Sequence, residues 1–87
     1  MSTLSIYVSA GPCVACSRAR DLGHVLAESY PDIEVRLIDI GSLAPGDVPD
    51  AVVAVPTYLL DGAVLSLGNP HEATLREKLA ALALANG

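Results

Sequence analysis

Apolar and polar residues alternate twice in the first half of the chain. Leu4–Val8 reads Leu-Ser-Ile-Tyr-Val, and Ile33–Asp39 reads Ile-Glu-Val-Arg-Leu-Ile-Asp. Each pattern predicts a β-strand, the first with its three aliphatic side chains on one face. The charged residues Glu34 and Arg36 at alternate positions of the second strand favour a place at the edge of a sheet.

Between these strands the apolar residues recur at helical spacing. The predicted apolar stripe is Ala15, Ala19, Leu22 and Leu26, widened by Val25. Pro31 ends the predicted helix. Charged and polar side chains are expected on its solvent side, namely Arg18, Arg20, Asp21, His24 and Glu28. A helix between two strands predicts a right-handed crossover, so the two strands should be parallel.

The second half of the chain begins with a weaker pattern. Pro45-Gly46-Asp47 indicates a turn, and the run Pro49–Val53 predicts a short helix. Thr57–Leu60 and Ala63–Leu67 then flank Asp61-Gly62, the dipeptide that best suits a two-residue hairpin turn.

The last element predicted is a helix after Gly68. Asn69 would cap it, Pro70 would occupy its first helical position, and Glu72 would bond back to the cap. Leu75, Leu79 and Leu82 supply its apolar stripe. The predicted order is therefore β-α-β-(α)-β-β-α, in a single α/β domain over residues 1–87.

Composition limits the classes of function. The 87 residues are 52% hydrophobic and have a net charge of −5, with three Tyr as the only aromatic residues. No Lys/Arg run is present, which argues against binding nucleic acid through a basic patch. The longest apolar-rich stretch, Ala51–Leu60, contains Pro56 and is too short to span a membrane. The first residues lack the pattern of a secretory signal. We therefore expect a monomeric cytoplasmic protein without membrane or nucleic-acid partners.

The two cysteines carry the candidate chemistry. Cys13 and Cys16 follow soon after the first predicted strand, which Gly11 and Pro12 break, so that Cys13 is expected at or just before the first helical turn. A Cys-x-x-Cys at a strand-to-helix junction is typical of a thiol–disulfide redox pair. The unpaired N–H groups and the dipole at a helix start favour a thiolate, so Cys13 is the candidate nucleophile. Cys16, one turn further on, is the candidate resolving thiol.

Two other interpretations of the cysteines remain open. One is that they are buried small hydrophobes, since free cysteine is often interior. The other is a zinc or iron–sulfur site, but a tetrahedral site needs four ligands and the pair supplies two. His24 and His71 lie on separate predicted helices without ligand spacing to either cysteine. We therefore expect no metal site within the chain.

The order of elements, with Cys13-Val14-Ala15-Cys16 and the later Val55-Pro56-Thr57 before the hairpin, resembles the thioredoxin superfamily in its compact, glutaredoxin-sized form. The resemblance implies a thioredoxin-like fold, with a mixed four-stranded sheet ordered second-first-third-fourth and flanked by two helices. It implies a cis peptide bond at Pro56, packed beside the dithiol. It also implies that the backbone of Val55 pairs with a bound substrate as an added strand.

The same resemblance implies a thiol–disulfide oxidoreductase that reduces or exchanges disulfides in proteins or small thiols. Either a reductase or glutathione would supply electrons, glutathione as a co-substrate, and no organic or metal cofactor would be needed. A competing hypothesis is a non-catalytic thioredoxin-like module whose dithiol is a redox sensor or a zinc or iron–sulfur site.

Three positions depart from the patterns of this superfamily. Pro12, a candidate substrate-binding residue, stands where thioredoxins usually carry a Trp that docks protein partners. Tyr7 stands where they place a buried Asp that assists proton transfer from the resolving thiol. Val14-Ala15 between the cysteines is neither the Gly-Pro of typical thioredoxins nor the Pro-Tyr of typical glutaredoxins.

Overall fold

The computed structural model of the chain describes residues 2–11 and 13–86. Its elements are β1 (Ser2–Val8), α1 (Val14–Ser29), β2 (Ile33–Asp39), β3 (Thr57–Leu60), β4 (Ala63–Leu67) and α2 (Glu72–Asn86). Two short 3-10 turns, Ile40–Ser42 and Pro45–Asp47, lie between β2 and β3. No helix in these ranges is long and apolar enough to cross a membrane.

The strands form one mixed sheet in the order β2-β1-β3-β4. β1 pairs in parallel with β2, with Leu4 opposite Val35, and antiparallel with β3, with Tyr7 opposite Thr57. β3 and β4 form an antiparallel hairpin. The strand order and the parallel crossover through α1 confirm the predicted fold. β2 lies at an edge, where its exposed Arg36 and Glu34 form an ion pair of 3.0 Å.

Both helices cover the sheet face that carries the aliphatic side chains of β1. Leu4, Ile6 and Val8 are all buried there. They share one contiguous buried cluster with residues of α1 and α2, namely Cys16, Ala19, Leu26, Leu75 and Leu79. The centres of both predicted stripes therefore lie in the core. Two members predicted for the stripe of α1 are wrong, because Ala15 and Val25 are exposed.

Gly23 allows α1 to lie close to the sheet. A β-carbon at this buried position would meet methyl carbons of Leu37 and Ile6 at 3.2–3.3 Å. These distances are shorter than ordinary packing contacts, so a side chain at position 23 would push α1 away from the sheet. Cys13, the N-cap of α1, and Cys16, in its first turn, therefore lie on a helix that packs closely against the sheet.

The hairpin turn confirms the sequence prediction. Asp61 and Gly62 both have positive φ, 50° and 88°, which is the requirement of a two-residue primed turn. Asp61 also accepts a hydrogen bond from the backbone N–H of Thr3 at 2.8 Å, and its own N–H donates to the Thr3 carbonyl at 2.9 Å. The turn is therefore tied to the first residues of β1.

Two predicted helix features are wrong. Pro49–Val53 forms no helix, only a turn in which the Val52 N–H donates to the Pro49 carbonyl at 2.9 Å. A turn of this length makes too few hydrogen bonds to propagate as a helix. The last helix begins at Glu72 rather than Pro70, because the side chain of Asn69 is engaged by other elements instead of capping it. Glu72 accepts a bond from Arg76 at 3.5 Å, one turn ahead, and not from the cap.

Candidate functional site

The two cysteines form a disulfide at the start of α1. Cys13 is the N-cap residue, with extended backbone angles of φ −156° and ψ 96°. Its sulfur accepts a hydrogen bond from the backbone N–H of Cys16 at 3.1 Å. The first turn of α1 contains no acidic residue. The positive end of the helix and this N–H therefore both favour negative charge on the Cys13 sulfur once the disulfide is reduced.

The two sulfurs differ in accessibility. Cys13 is half-buried, whereas Cys16 is fully buried in the core cluster. An external thiol or disulfide therefore reaches Cys13 first. The exposed neighbour Val14, at 83% relative exposure, presents an apolar side chain to solvent beside it. The geometry fits the predicted division between an attacking and a resolving cysteine.

Ser9, the first residue after β1, is the nearest backbone contact of the buried sulfur. Its N–H donates to the Sγ of Cys16 at 3.4 Å. Its carbonyl accepts a bond from the Nη2 of Arg20 at 2.7 Å, and its hydroxyl accepts one from the Gly11 N–H at 3.2 Å. The expectation that Arg20 lies on the solvent side of α1 is wrong, because this side chain is half-buried and turned back toward the end of β1.

The segment Val55-Pro56-Thr57 lies at the same edge of the sheet. Thr57 pairs with Tyr7 near the end of β1, so the residues before Thr57 lie at the edge where β1 ends and α1 begins. The peptide bond between Val55 and Pro56 is cis, as the resemblance implied. Thr57 is fully buried and its hydroxyl donates to the Ala54 carbonyl.

Val55 leaves its backbone polar groups available. The Pro56 carbonyl accepts a bond from the Gly68 N–H at 2.7 Å. In residues 2–11 and 13–86, no hydrogen bond engages the N–H or carbonyl of Val55. An unpaired backbone at the end of a strand is able to receive an added strand. Pro12, the fourth candidate substrate-binding residue, lies outside the described residues.

A side-chain bridge links β3 to residues 13–16, which hold both cysteines and are called the dithiol turn below. Sequence reasoning missed this bridge. The hydroxyl of Tyr58 donates to the Oδ1 of Asn69 at 2.8 Å, and the Nδ2 of Asn69 donates to the carbonyl of Ala15 at 3.0 Å. Ala15 lies between the two cysteines. We call this set the Tyr58–Asn69–Ala15 bridge. Its partners are 11 and 54 residues apart, so no local sequence pattern could have indicated it.

Tyr58 is the one described residue whose ionisation departs clearly from its ordinary range. It is fully buried, and desolvation raises the pKa of Tyr58 to about 12. The hydroxyl therefore keeps its proton throughout the pH range of thiol chemistry and acts as a donor to Asn69.

Metal ligands do not converge in the described part of the chain. No group of three or more His, Cys, Asp or Glu side chains that could hold an ion occurs among those residues. The dithiol supplies two sulfur ligands, and a tetrahedral site would need two more.

No protein-family model matches the sequence, and no curated protein matches it significantly. Solved structures do match the fold. A thioredoxin from Fasciola hepatica superposes with a TM-score of 0.72 at 20% sequence identity, covering 92% of this chain and 79% of that one.

Mitochondrial thioredoxin 3 from Saccharomyces cerevisiae, in its oxidised form, gives a TM-score of 0.70 at 22% identity, covering 92% of this chain and 77% of the other. Thioredoxin O2 from Arabidopsis thaliana, in the oxidised state, gives 0.68 at 19% identity, covering 94% and 75%. The chain therefore has the thioredoxin fold, with its Cys-x-x-Cys disulfide at the start of the first helix.

Proposed function

We propose that the protein is a thiol–disulfide oxidoreductase. The observation that carries the proposal is the unequal pair at the start of α1, an accessible Cys13 at the N-cap and a fully buried Cys16. The thioredoxin fold supports the same reaction class. A fold alone does not fix a function, so the argument rests on the geometry of the two sulfurs.

The reaction begins from the reduced dithiol. The Cys13 thiolate attacks one sulfur of a substrate disulfide, that S–S bond breaks, and the other substrate sulfur leaves as a thiolate. Cys16 loses its proton and attacks the Cys13 sulfur. The Cys13–Cys16 bond forms, and the second substrate sulfur leaves. The substrate gains two electrons and two protons, and the protein is left with the disulfide seen here.

Substrate is held by the edge next to the disulfide. The free N–H and carbonyl of Val55 pair with an extended substrate segment, while the buried Pro56 and Thr57 set the conformation of the backbone that presents Val55. Pro12, one residue before Cys13 in the sequence, is a further candidate substrate-binding residue. The substrates are disulfide-bonded proteins or small disulfides. A reductase or two molecules of glutathione return the two electrons, and a reducing cytoplasm is the setting that sustains this direction.

The test is turnover of a protein disulfide, with insulin as the probe, driven in parallel by thioredoxin reductase with NADPH and by glutathione with its reductase. Wild type is expected to turn over with one of these donors. Cys13→Ser should lose turnover, and Cys16→Ser should stop at a mixed disulfide with Cys13. The donor that works identifies the electron source.

A different outcome would favour the non-catalytic alternative. If the dithiol oxidises and reduces reversibly but neither donor drives insulin reduction, the proposal fails and a redox sensor remains. Metal analysis of the protein purified under reducing conditions tests the zinc or iron–sulfur version of that alternative. A stoichiometric metal that blocks alkylation of both cysteines would also contradict the proposal.

A further inference from the structure

The backbone of Ser9 is held at both its N–H and its carbonyl, by the buried sulfur and by an arginine. The N–H of Ser9 points at the Sγ of Cys16 at 3.4 Å, and its carbonyl accepts from the Nη2 of Arg20 at 2.7 Å. The Ser9 hydroxyl accepts from the Gly11 N–H at 3.2 Å, which fixes the turn that follows. Three hydrogen bonds therefore hold Ser9 in place.

Arg20 is unusual for a half-buried arginine. In the described ranges the ion pairs are Arg36 with Glu34 and Arg76 with Glu72, so no carboxylate neutralises Arg20 there. Its hydrogen bond is to the Ser9 carbonyl. That carbonyl belongs to the peptide between Ser9 and Ala10, whereas the Ser9 N–H that faces Cys16 belongs to the preceding peptide, and the two planar units are joined only by the rotatable bonds at the Ser9 Cα. Arg20 therefore acts on this N–H by restraining the backbone torsions of Ser9.

The buried sulfur needs this help in the proposed reaction. Cys16 is fully buried, and burial disfavours a thiolate. Cys16 must nevertheless become a thiolate to attack the mixed disulfide, and it leaves as one when an external thiol attacks Cys13. Among the described residues no carboxylate hydrogen-bonds or ion-pairs with either cysteine. The groups on the Cys16 sulfur are the Ser9 N–H and its disulfide partner.

We propose that Arg20 is a positioning residue that stabilises the Cys16 thiolate by holding the Ser9 backbone, and with it the Ser9 N–H, in place. The guanidinium stays charged across the pH range of thiol chemistry and binds the Ser9 carbonyl. The fixed N–H of Ser9 then donates to the negative sulfur, a charge-assisted bond that is stronger than the bond to a neutral thiol. The electrostatic claim stands on the structure alone. Its catalytic consequence, faster resolution of the mixed disulfide, rests on the proposed function.

The test separates the electrostatic claim from turnover. In a Cys13→Ser background, Cys16 is the only thiol, and its ionisation is followed by the ultraviolet absorbance of the thiolate as pH is raised. Arg20→Gln is expected to move this titration to higher pH, because a released Ser9 backbone no longer holds its N–H on the thiolate. Losing that bond to a charged group should lower the thiolate fraction below the midpoint about tenfold. Arg18→Gln is the matched control, because it removes the same charge from an exposed position of the same helix.

Two further readouts complete the test. Arg20→Lys retains the charge with a single ammonium donor and is expected to recover part of the effect. It also guards against a misfolded Arg20→Gln, with far-UV circular dichroism recorded for each variant. With Cys13 present, stopped-flow resolution of a mixed disulfide should slow about tenfold in Arg20→Gln at neutral pH.

Coincident Cys16 titrations for Arg20→Gln, Arg18→Gln and the Cys13→Ser parent would overturn the inference, whether or not the protein catalyses turnover. A shifted titration without insulin turnover would leave the Arg20 role standing and refute the proposed function alone.

Discussion

Cutting the Tyr58–Asn69–Ala15 bridge at Asn69 tests how the fold positions the dithiol turn. The perturbation is Asn69→Leu, which keeps the branched shape of the side chain but can neither accept from Tyr58 nor donate to Ala15. Because leucine also excludes water from the space, the hydroxyl of Tyr58 is left buried without a partner. Tyr58 has 0% relative exposure, whereas Asn69 is exposed.

These burial values set the magnitude. An unsatisfied buried hydroxyl costs about 1–3 kcal/mol, so Asn69→Leu is expected to reduce the free energy of unfolding by about 2 kcal/mol. Tyr58→Phe is expected to cost less than about 1 kcal/mol, because water replaces the hydroxyl at the exposed Asn69. The double variant leaves no orphaned group, and its cost is expected near 1 kcal/mol. Tyr58→Phe should therefore restore stability to the Asn69→Leu protein.

Urea unfolding followed by far-UV circular dichroism measures these changes, since the chain has no Trp for fluorescence. For a domain of this size each 1 kcal/mol corresponds to about 4–8 °C in Tm, so thermal scans give an independent check. Tyr30→Phe is the matched control. Its hydroxyl donates to the Arg76 carbonyl at 3.4 Å from a half-buried position, so its loss should cost less than about 0.5 kcal/mol.

Additive costs would refute the reasoning. If the double variant is less stable than Asn69→Leu by the full cost of Tyr58→Phe, the two side chains are not coupled and the bridge does not hold the dithiol turn. Equal costs for Tyr58→Phe and Asn69→Leu would contradict the assigned burial of the hydroxyl.

Three further predictions concern stability. Burial raises the pKa of Tyr58 to about 12 from its ordinary 10, so between these pH values the folded state holds a proton that the unfolded state releases, and stability should fall as pH rises from about 10 to about 12. Tyr58→Phe should weaken the pH dependence of the urea midpoint in that range, and an unchanged pH dependence would contradict this origin. Gly62→Ala should lower the free energy of unfolding by about 1–2 kcal/mol, because Gly62 has φ 88°, which strains an L side chain. Gly46→Ala, at a position with no neighbour within 4 Å and no positive φ, should change it by less than about 0.5 kcal/mol. Equal urea midpoints for the two variants would refute backbone strain at Gly62. Gly23→Leu should cost about 1–3 kcal/mol by forcing α1 from the sheet, and a wild-type thermal midpoint would show that the helix is free to shift.

Local sequence signals predicted most of the fold. The alternation over Leu4–Val8 and the Asp61-Gly62 turn depend on neighbours a few residues away, and both formed as expected. The same holds for Cys13, whose place at the helix start follows from the break before it. The strand order and the cis bond before Pro56 came from the resemblance to a known fold, because pairing between distant strands has no local signature.

The features that sequence reasoning missed depend on long-range contacts. Asn69 looked like a helix cap, but Tyr58 and Ala15 engage both ends of its amide and the helix begins at Glu72. Arg20 looked like a surface residue, but its side chain donates a hydrogen bond to the carbonyl of Ser9, 11 residues earlier in the chain. Polar residues with local roles available take tertiary partners when the fold brings those partners within reach.

The alkylation rate of Cys13 as a function of pH measures whether the start of α1 activates this thiol as the attacking nucleophile. The protein is reduced Cys16→Ser, so that Cys13 is the only thiol, and iodoacetamide is the probe. The helix start and the backbone N–H at position 16 remain in place. Cys13 is expected to react with a pKa well below the free-thiol value of about 8.5, because both features stabilise the thiolate. A pKa at or above that of free cysteine would contradict it.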